Sequence, residues 1–194
     1  MSNFNVERFK AAVTAGGSRP NQFLVQLSFP TFVAGQSIAV ARSSFLITAA
    51  ELPGQTINPA IVMYRGREVK FAGDRIFNPW SITILNDQEM SIRTSLEQWM
   101  NGMEDLEAKF GRLQPSEYQR DLDVFQLDRN GNITKAYKMV NAFPMDISPV
   151  ALSFDANDQI STFTATFQYQ HFLPSQNPLS GIVNMAGVFD RALS

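Results

Sequence analysis

Residues 162–169 alternate without a fault, with Phe163, Ala165, Phe167 and Tyr169 interleaved with Thr162, Thr164, Thr166 and Gln168. Successive side chains of an extended chain point to opposite faces, so this stretch is a half-buried β-strand; a helix would scatter its aromatics around the axis. The same period recurs at 22–29, where Phe23, Val25, Leu27 and Phe29 alternate with Gln22, Gln26 and Ser28, and only Leu24 spoils the pattern. It recurs again at Trp80, Ile82 and Ile84. Ser44 to Ala50 is expected to be a further strand, broken at Leu52-Pro53-Gly54.

Three hairpins follow from turn chemistry. Residues 61–71 carry β-branched or aromatic residues on both arms and turn at Arg65-Gly66. The span 121–140 turns at Arg129-Asn130-Gly131-Asn132, where Asn-Gly supplies the positive φ that tight turns need. The last turns at Asp155-Ala156-Asn157-Asp158 and runs into the alternating strand.

Residues 88–110 carry the clearest helical period: Ile92, Leu96, Trp99, Met100, Met103, Leu106 and Phe110 recur at three and four, and Gly111 ends the run. A short helix is expected at 5–15, capped by Asn5, with Val6, Phe9 and Val13 on one face and Gly16-Gly17 as its stop. After Pro174 the composition changes to a short apolar tail. The chain therefore divides into an N-terminal helical arm (1–18), a β-rich domain with a flanking helix (19–173) and a C-terminal extension (174–194). Phe9 and Val13 in the arm, with Ile182, Val183, Met185 and Phe189 in the extension, would be sticky if left in water, so at least one segment is expected to pack on another subunit.

Composition removes whole classes of function. A net charge of −2 on 194 residues does not suit a protein that grips nucleic acid, which needs clustered Lys and Arg. There is no cysteine, hence no disulfide framework or thiolate metal site. No apolar run approaches the roughly 18 residues of a membrane span, and the N-terminus lacks the basic start and apolar run of a signal peptide. The expectation is a soluble protein made in a cytoplasm.

Catalytic chemistry is equally thin. His171 is the one histidine and has no nucleophile elbow or similar constellation to serve, so it is expected to be a strand-end residue. Asp128-Arg129-Asn130-Gly131-Asn132 resembles a calcium loop only faintly; the closing glutamate is missing and the flanks are strands. Met90, Met100 and Met103 are expected to be core packing, not an adaptable groove. Glu104, Asp105 and Glu107 are assigned to the solvated side of the helix, not to acid–base work. No catalytic, cofactor-binding or metal site is expected.

The most distinctive stretch runs from Val69 to Asp87: a strand, then Gly73-Asp74-Arg75, then a strand opened by Trp80, then Asn86-Asp87 at a helix start. Gly73 is taken as permitting a sharp corner between extended segments, with Asp74 and Arg75 satisfying nearby groups. This order closely resembles a segment of the tail tube proteins of contractile-tailed bacteriophages. The likeness extends in order along the chain, through Arg19-Pro20-Asn21, Ala49 to Gly54, Tyr64-Arg65-Gly66-Arg67, Pro115-Ser116-Glu117-Tyr118, Phe143-Pro144 and the 152–163 region. The tail after His171 is longer than in the simplest members of that family.

The resemblance implies a structural virion protein with two packed antiparallel sheets and a flanking helix. Its subunits would form hexameric rings that stack into a tube inside a sheath, with strands jointly closing one β-barrel. Its partners would be copies of itself, the tail sheath protein, and baseplate and tail terminator proteins. DNA would pass through without specific binding, no membrane would be involved, and assembly would occur in the host cytoplasm. Candidate inter-subunit or lumen residues are Ile61, Met63, Arg65, Gly66, Arg67, Glu68 and Lys70, with the corner Gly73, Asp74 and Arg75 beside them; Asp74 and Glu51 are candidates to neutralise the hairpin's cations. The same fold would also serve a secretion or phage-derived injection device or a tube-initiating baseplate subunit, and a monomeric β-sandwich binding module is the rival from another class.

Overall fold

The structure is a computed structural model, and it describes residues 6–12, 17–104, 114–155 and 157–175. Thirteen elements follow in order: α1 (Val6–Ala12), β1 (Phe23–Gln26), α2 (Gln36–Leu46), β2 (Ile47–Ala50), β3 (Gln55–Tyr64), β4 (Arg67–Phe77), β5 (Trp80–Leu85), α3 (Ser91–Met103), α4 (Pro115–Tyr118), β6 (Arg120–Leu127), β7 (Ile133–Ile147), β8 (Thr162–Gln168) and β9 (His171–Ser175). Seven strands form one antiparallel sheet in the order β1-β6-β7-β8-β5-β2, with β9 also paired to β7; β3 and β4 form a separate two-stranded sheet. The two antiparallel layers, β1-β6-β7-β9 and β2-β5-β8-β7, are thus joined through β7 into one continuous path that closes on a shared core. The fold line is β7, whose residues 136–140 pair with β9 while 143–147 pair with β8 on the same side.

The alternating strands bury the faces expected of them. Val25, Trp80, Ile82, Ile84, Phe163, Ala165, Phe167, Leu122, Val124 and Met139 join one core that draws on both halves of the sheet. α3 closes it with Ile92, Leu96 and Trp99. The indole of Trp99 donates to the Tyr118 carbonyl at 2.7 Å, and that of Trp80 donates to the Glu51 backbone carbonyl at 2.5 Å. Met103 packs on this core from the end of α3. Leu106, Phe110 and Gly111 lie outside the described residues, as do Asp105, Glu107, Asn5, Val13, Gly16 and everything after Ser175.

Four expectations are corrected. Ser44 to Leu46 is helical, not extended: α2 occupies 36–46, and only Ile47–Ala50 is strand. α2 turns Ala39 and Ser43 inward, and the Ser43 hydroxyl donates to the Val40 carbonyl. α3 begins at Ser91, one turn beyond Asn86-Asp87. His171 opens β9 opposite Val140 instead of closing the preceding strand, and the strand continues through Pro174 to Ser175. Finally, β7 and β8 do form the last hairpin and the chain does turn at 154–155 and 157–158, but the connection is longer than that turn, running over 148–161 with Leu152, Phe154 and Ile160 exposed; Ala156 lies outside the described residues.

Asp87 organises the entry to α3. Its Oδ1 accepts from the Ser91 amide at 2.8 Å, its Oδ2 accepts from the Ser91 hydroxyl at 2.6 Å, and Arg42 of α2 pairs with it and with Glu89. Burial pushes the Asp87 carboxyl up, but the Ser91 hydroxyl and amide and the Arg42 guanidinium outweigh it and hold it below the ordinary carboxylate value. A folded pKa below the unfolded one means stability that is complete above the ordinary carboxylate range and fades as pH falls through it. Asp87→Asn keeps an accepting oxygen but loses the charge that pairs with Arg42 and faces the start of α3, and is therefore expected to cost about 0.5–1 kcal/mol of unfolding free energy at neutral pH. Denaturant titration at neutral and acid pH should show the loss at neutral pH and less difference from the native chain in acid; equal losses at both would sink the assignment.

Candidate assembly surface

β3 and β4 are rich in β-branched and aromatic residues, and they meet at Arg65-Gly66, both with positive φ (48° and 80°). Two consecutive left-handed residues give the turn whose twist matches that of paired strands. Arg65 has a Cβ and adopts this conformation at a cost of about 1 kcal/mol; its guanidinium lies 5.5 Å from the Tyr64 ring centre. The Arg65-Gly66 hairpin is thus where the sequence places it, though its arms are longer than 61–71.

Pairing divides the hairpin into two unlike faces, since cross-strand partners share a face. Tyr64 sits opposite Arg67, Val62 opposite Val69 and Ala60 opposite Phe71, giving one largely apolar face. Met63 sits opposite Glu68, Ile61 opposite Lys70 and Ile57 opposite Arg75, giving a face that mixes charge with aliphatic side chains. Of the candidate residues, Ile61, Met63, Glu68 and Lys70 share that second face, while Arg67 belongs to the first. Both faces are open in the protomer, with Met63 64% and Phe71 57% exposed. Lys70 Nζ lies 3.9 Å from Glu68, and among the described residues Arg65, Arg67 and Arg75 have no ion-pair partner in the protomer. Neither Asp74 nor Glu51 reaches them here.

Gly73-Asp74-Arg75 is not a corner. β4 continues through it as strand, and Gly73 has no positive φ. The register instead shifts between Ile57 and Pro59, so that the Gly73-Asp74 region carries an extra residue opposite Asn58. A Cβ on Gly73 would stand 2.5 Å from the Asn58 carbonyl oxygen. Glycine is required here because another backbone comes too close, not because the chain turns. Gly73→Ala is expected to loosen the hairpin and spare the core: hydrogen exchange should accelerate at β3 and β4 amides and stay unchanged at β5 and β8. Unchanged exchange in the hairpin would disprove the close-approach account.

The hairpin is free along its length and fixed at its root. The Phe77 ring lies 6.1 Å from that of Tyr169 and 5.5 Å from that of Phe172. The Asn78 amide donates to the Gly54 carbonyl at 3.3 Å. Sequence reasoning missed this clamp, since Phe77 follows Ile76 with no period to mark it as an anchor.

The residues that tempt a chemical reading are used structurally. Asp128 Oδ1 accepts from the amides of Asn130 and Asn132 at 2.7 and 2.8 Å, closing the turn that Gly131 (φ 80°) makes. Near His171, Asp121 pairs with Lys138 at 2.8 Å and accepts from the Asn141 amide; burial raises its carboxyl, and these partners bring it below the ordinary value. Asp123 beside it is pushed up by burial.

With this geometry in view, the comparisons agree. A profile described as phage tail tube protein matches residues 18–175. The chain belongs to the phage tail tube protein family. It is 30% identical over 166 residues to the tail tube protein of Serratia phage KSP90, covering 84% of this chain and 93% of that one. It is 26% identical over 156 residues to tail tube protein gp19 of Enterobacteria phage T4, covering 80% and 90%. A chain in the sheath/tube terminator structure of an extracellular contractile injection system, PVC, superposes with a TM-score of 0.59 at 12% identity, covering 82% of this chain and 96% of that one. That likeness is one of fold. Tail tube proteins are structural, and the mainly β, antiparallel architecture described above is the tail tube fold.

Proposed function

We propose that this tail tube protein assembles as hexameric rings that stack into the hollow inner tube of a contractile phage tail, through which DNA leaves the virion. The observation that carries the reading is the β3–β4 hairpin: a 10-residue and an 11-residue strand, open on both faces, with both outer edges unpaired among the described residues, rooted firmly through Phe77. A sheet left like this in a monomer would pair with whatever it met. Closure with copies of itself removes the edges and gives a bounded, symmetric assembly.

In this reading Ile61, Met63, Glu68 and Lys70 look towards the channel and the Tyr64–Arg67 and Phe71 face packs on a neighbouring subunit. The cations left unpartnered in the protomer, Arg65, Arg67 and Arg75, meet acidic groups of neighbours. Residues 19–173 form the tube wall, while the arm at 1–18, with exposed Val6 and Phe9, and the segment after Pro174 dock on adjacent subunits or rings. A sheath protein surrounds the tube and baseplate and terminator proteins cap its ends, all joined in the host cytoplasm. The chain carries no cofactor and catalyses nothing.

Electron microscopy of the purified protein tests this directly. Six-membered rings or tubes are the expected images. A chain that stays monomeric at high concentration and after addition of a matching baseplate would overturn it.

A further inference from the structure

β9 is a lightly anchored strand. It lies at an edge, paired to β7 alone among the described residues. Leu173 and Pro174 are exposed, and Pro174, opposite Tyr137, has no backbone N–H to add to a ladder. What ties the strand down is Phe172, which packs on the core with its ring centre 5.7 Å from that of Tyr137 and 6.4 Å from that of Tyr169. The same ring holds the β3–β4 hairpin. Phe77, the last residue of β4, stands edge-on to Phe172 at 5.5 Å and tilted against Tyr169 at 6.1 Å. Tyr169 is the fixed half of this socket: it is a core residue, and its hydroxyl donates at 3.5 Å to the Gly54 carbonyl, which also accepts from the Asn78 amide. Phe172 is the half carried by β9.

We infer that β9 is a latch on the hairpin: while it lies on β7, Phe172 and Tyr169 grip Phe77 and aim the arm in one direction, and when it lifts off, the arm swings. The hairpin joins the domain only through the short links 51–54 and 78–79, and its two strands pair with each other alone among the described residues. Such an arm tilts about its links unless a side chain wedges its foot, and Phe77 is that wedge. Opening an edge strand with few buried contacts is among the least costly local motions of a domain. Because one ring serves both elements, docking of either favours docking of the other, and the coupling runs both ways through a single two-state element, β9 on or off β7. A neighbour that captures the hairpin therefore also seals β9 onto β7, and a partner that draws β9 away loosens the hairpin. The consequence for assembly rests on the tube reading of the preceding subsection, since aiming the arm matters only if another copy receives it.

Reciprocity supplies the test, made on the full chain kept too dilute to assemble. In Phe77→Ala, amide exchange on β9 should quicken about tenfold while β5 and β8 stay as they were. In Phe172→Ala, the hairpin tip should lose its fixed distance from α3. Nitroxides on Met63→Cys and Thr94→Cys, in a chain with no native cysteine, should then give a broader distance distribution by electron–electron resonance than the same labels beside an intact Phe172. Should Phe172→Ala not fold, Phe172→Leu, which keeps bulk but not the ring, is read the same way. Once assembly is allowed, the Phe172 variant should need about tenfold more protein to form rings, because fewer chains present an aimed hairpin. Exchange on β9 that ignores Phe77, a tip distance that ignores Phe172, or equal quickening of β5 and β8 overturns the latch, and tubes formed by those chains leave the tube reading standing. Coupled β9 and hairpin in a native chain that forms no rings removes the tube reading and keeps the latch.

Discussion

Replacing residues 56–76 with a short Asn-Gly turn is expected to leave a folded protomer that forms neither rings nor tubes. Apart from Phe77 at its root, the hairpin's partners are its own two strands, so its removal takes almost nothing from the core. The melting temperature should move by only a few degrees, the effect of about 1–2 kcal/mol on a domain of this size. Assembly, by contrast, loses a sheet whose edges and faces are free among the described residues. Thermal melting by circular dichroism and electron microscopy of the same sample separate the two effects. Tubes of normal appearance from the shortened chain would remove the hairpin from the assembly surface, and an unfolded protomer would show that it belongs to the core after all.

Trp99→Ala is expected to do the reverse, striking the protomer itself. Trp99 is 0% exposed. It sits between Phe29 and Phe167, with ring centres 5.7 and 6.3 Å away, and its indole satisfies the Tyr118 carbonyl. Truncation leaves a cavity where α3 meets the sheet and strands a half-buried carbonyl. Large aromatic truncations in cores cost about 3–5 kcal/mol, which lowers the melting temperature by roughly 10 °C in a chain of this length. Urea unfolding at neutral pH measures it. A loss below about 1 kcal/mol would mean that the helix collapses into the gap and that the Trp99 contact is not what fixes α3.

Much of the fold was legible because its signals are local. Phe163, Ala165 and Phe167 had to share a face once the period was two, and they do. Arg65-Gly66 and Asn130-Gly131 had to turn, and Gly66 and Gly131 have the positive φ that such turns use. The failures are equally physical. α2 hides because its inward residues are Ala39 and Ser43, too small and too polar to print a helical stripe. Pro174 suggested an ending, yet β9 is paired to β7 alone and proline is tolerated on such an edge. Gly73 marks either a turn or a close approach, and one sequence does not say which; the register of β3 and β4 decides for the second. The assembly surface itself was half legible. Its turn and candidate residues could be named, but apolar residues on both faces look the same in a sequence whether a chain's own core or another copy covers them.

The passage of β7 from one half of the sheet to the other has a mechanical consequence. Its 15 residues are a single covalent run: 133–142 pair with β6, 136–140 also with β9, and 143–147 with β8. Where it changes sheets, Asn141 takes a positive φ (55°) and its amide is pinned by Asp121. Force or torque applied to one layer therefore reaches the other through peptide bonds along a strut, not only through side chains that could slide past each other. Two separately stacked sheets would offer a slip plane between them; this subunit has a crossbeam through that plane, and a column of such blocks would resist shear within each block, leaving the seams between blocks as the places where it yields.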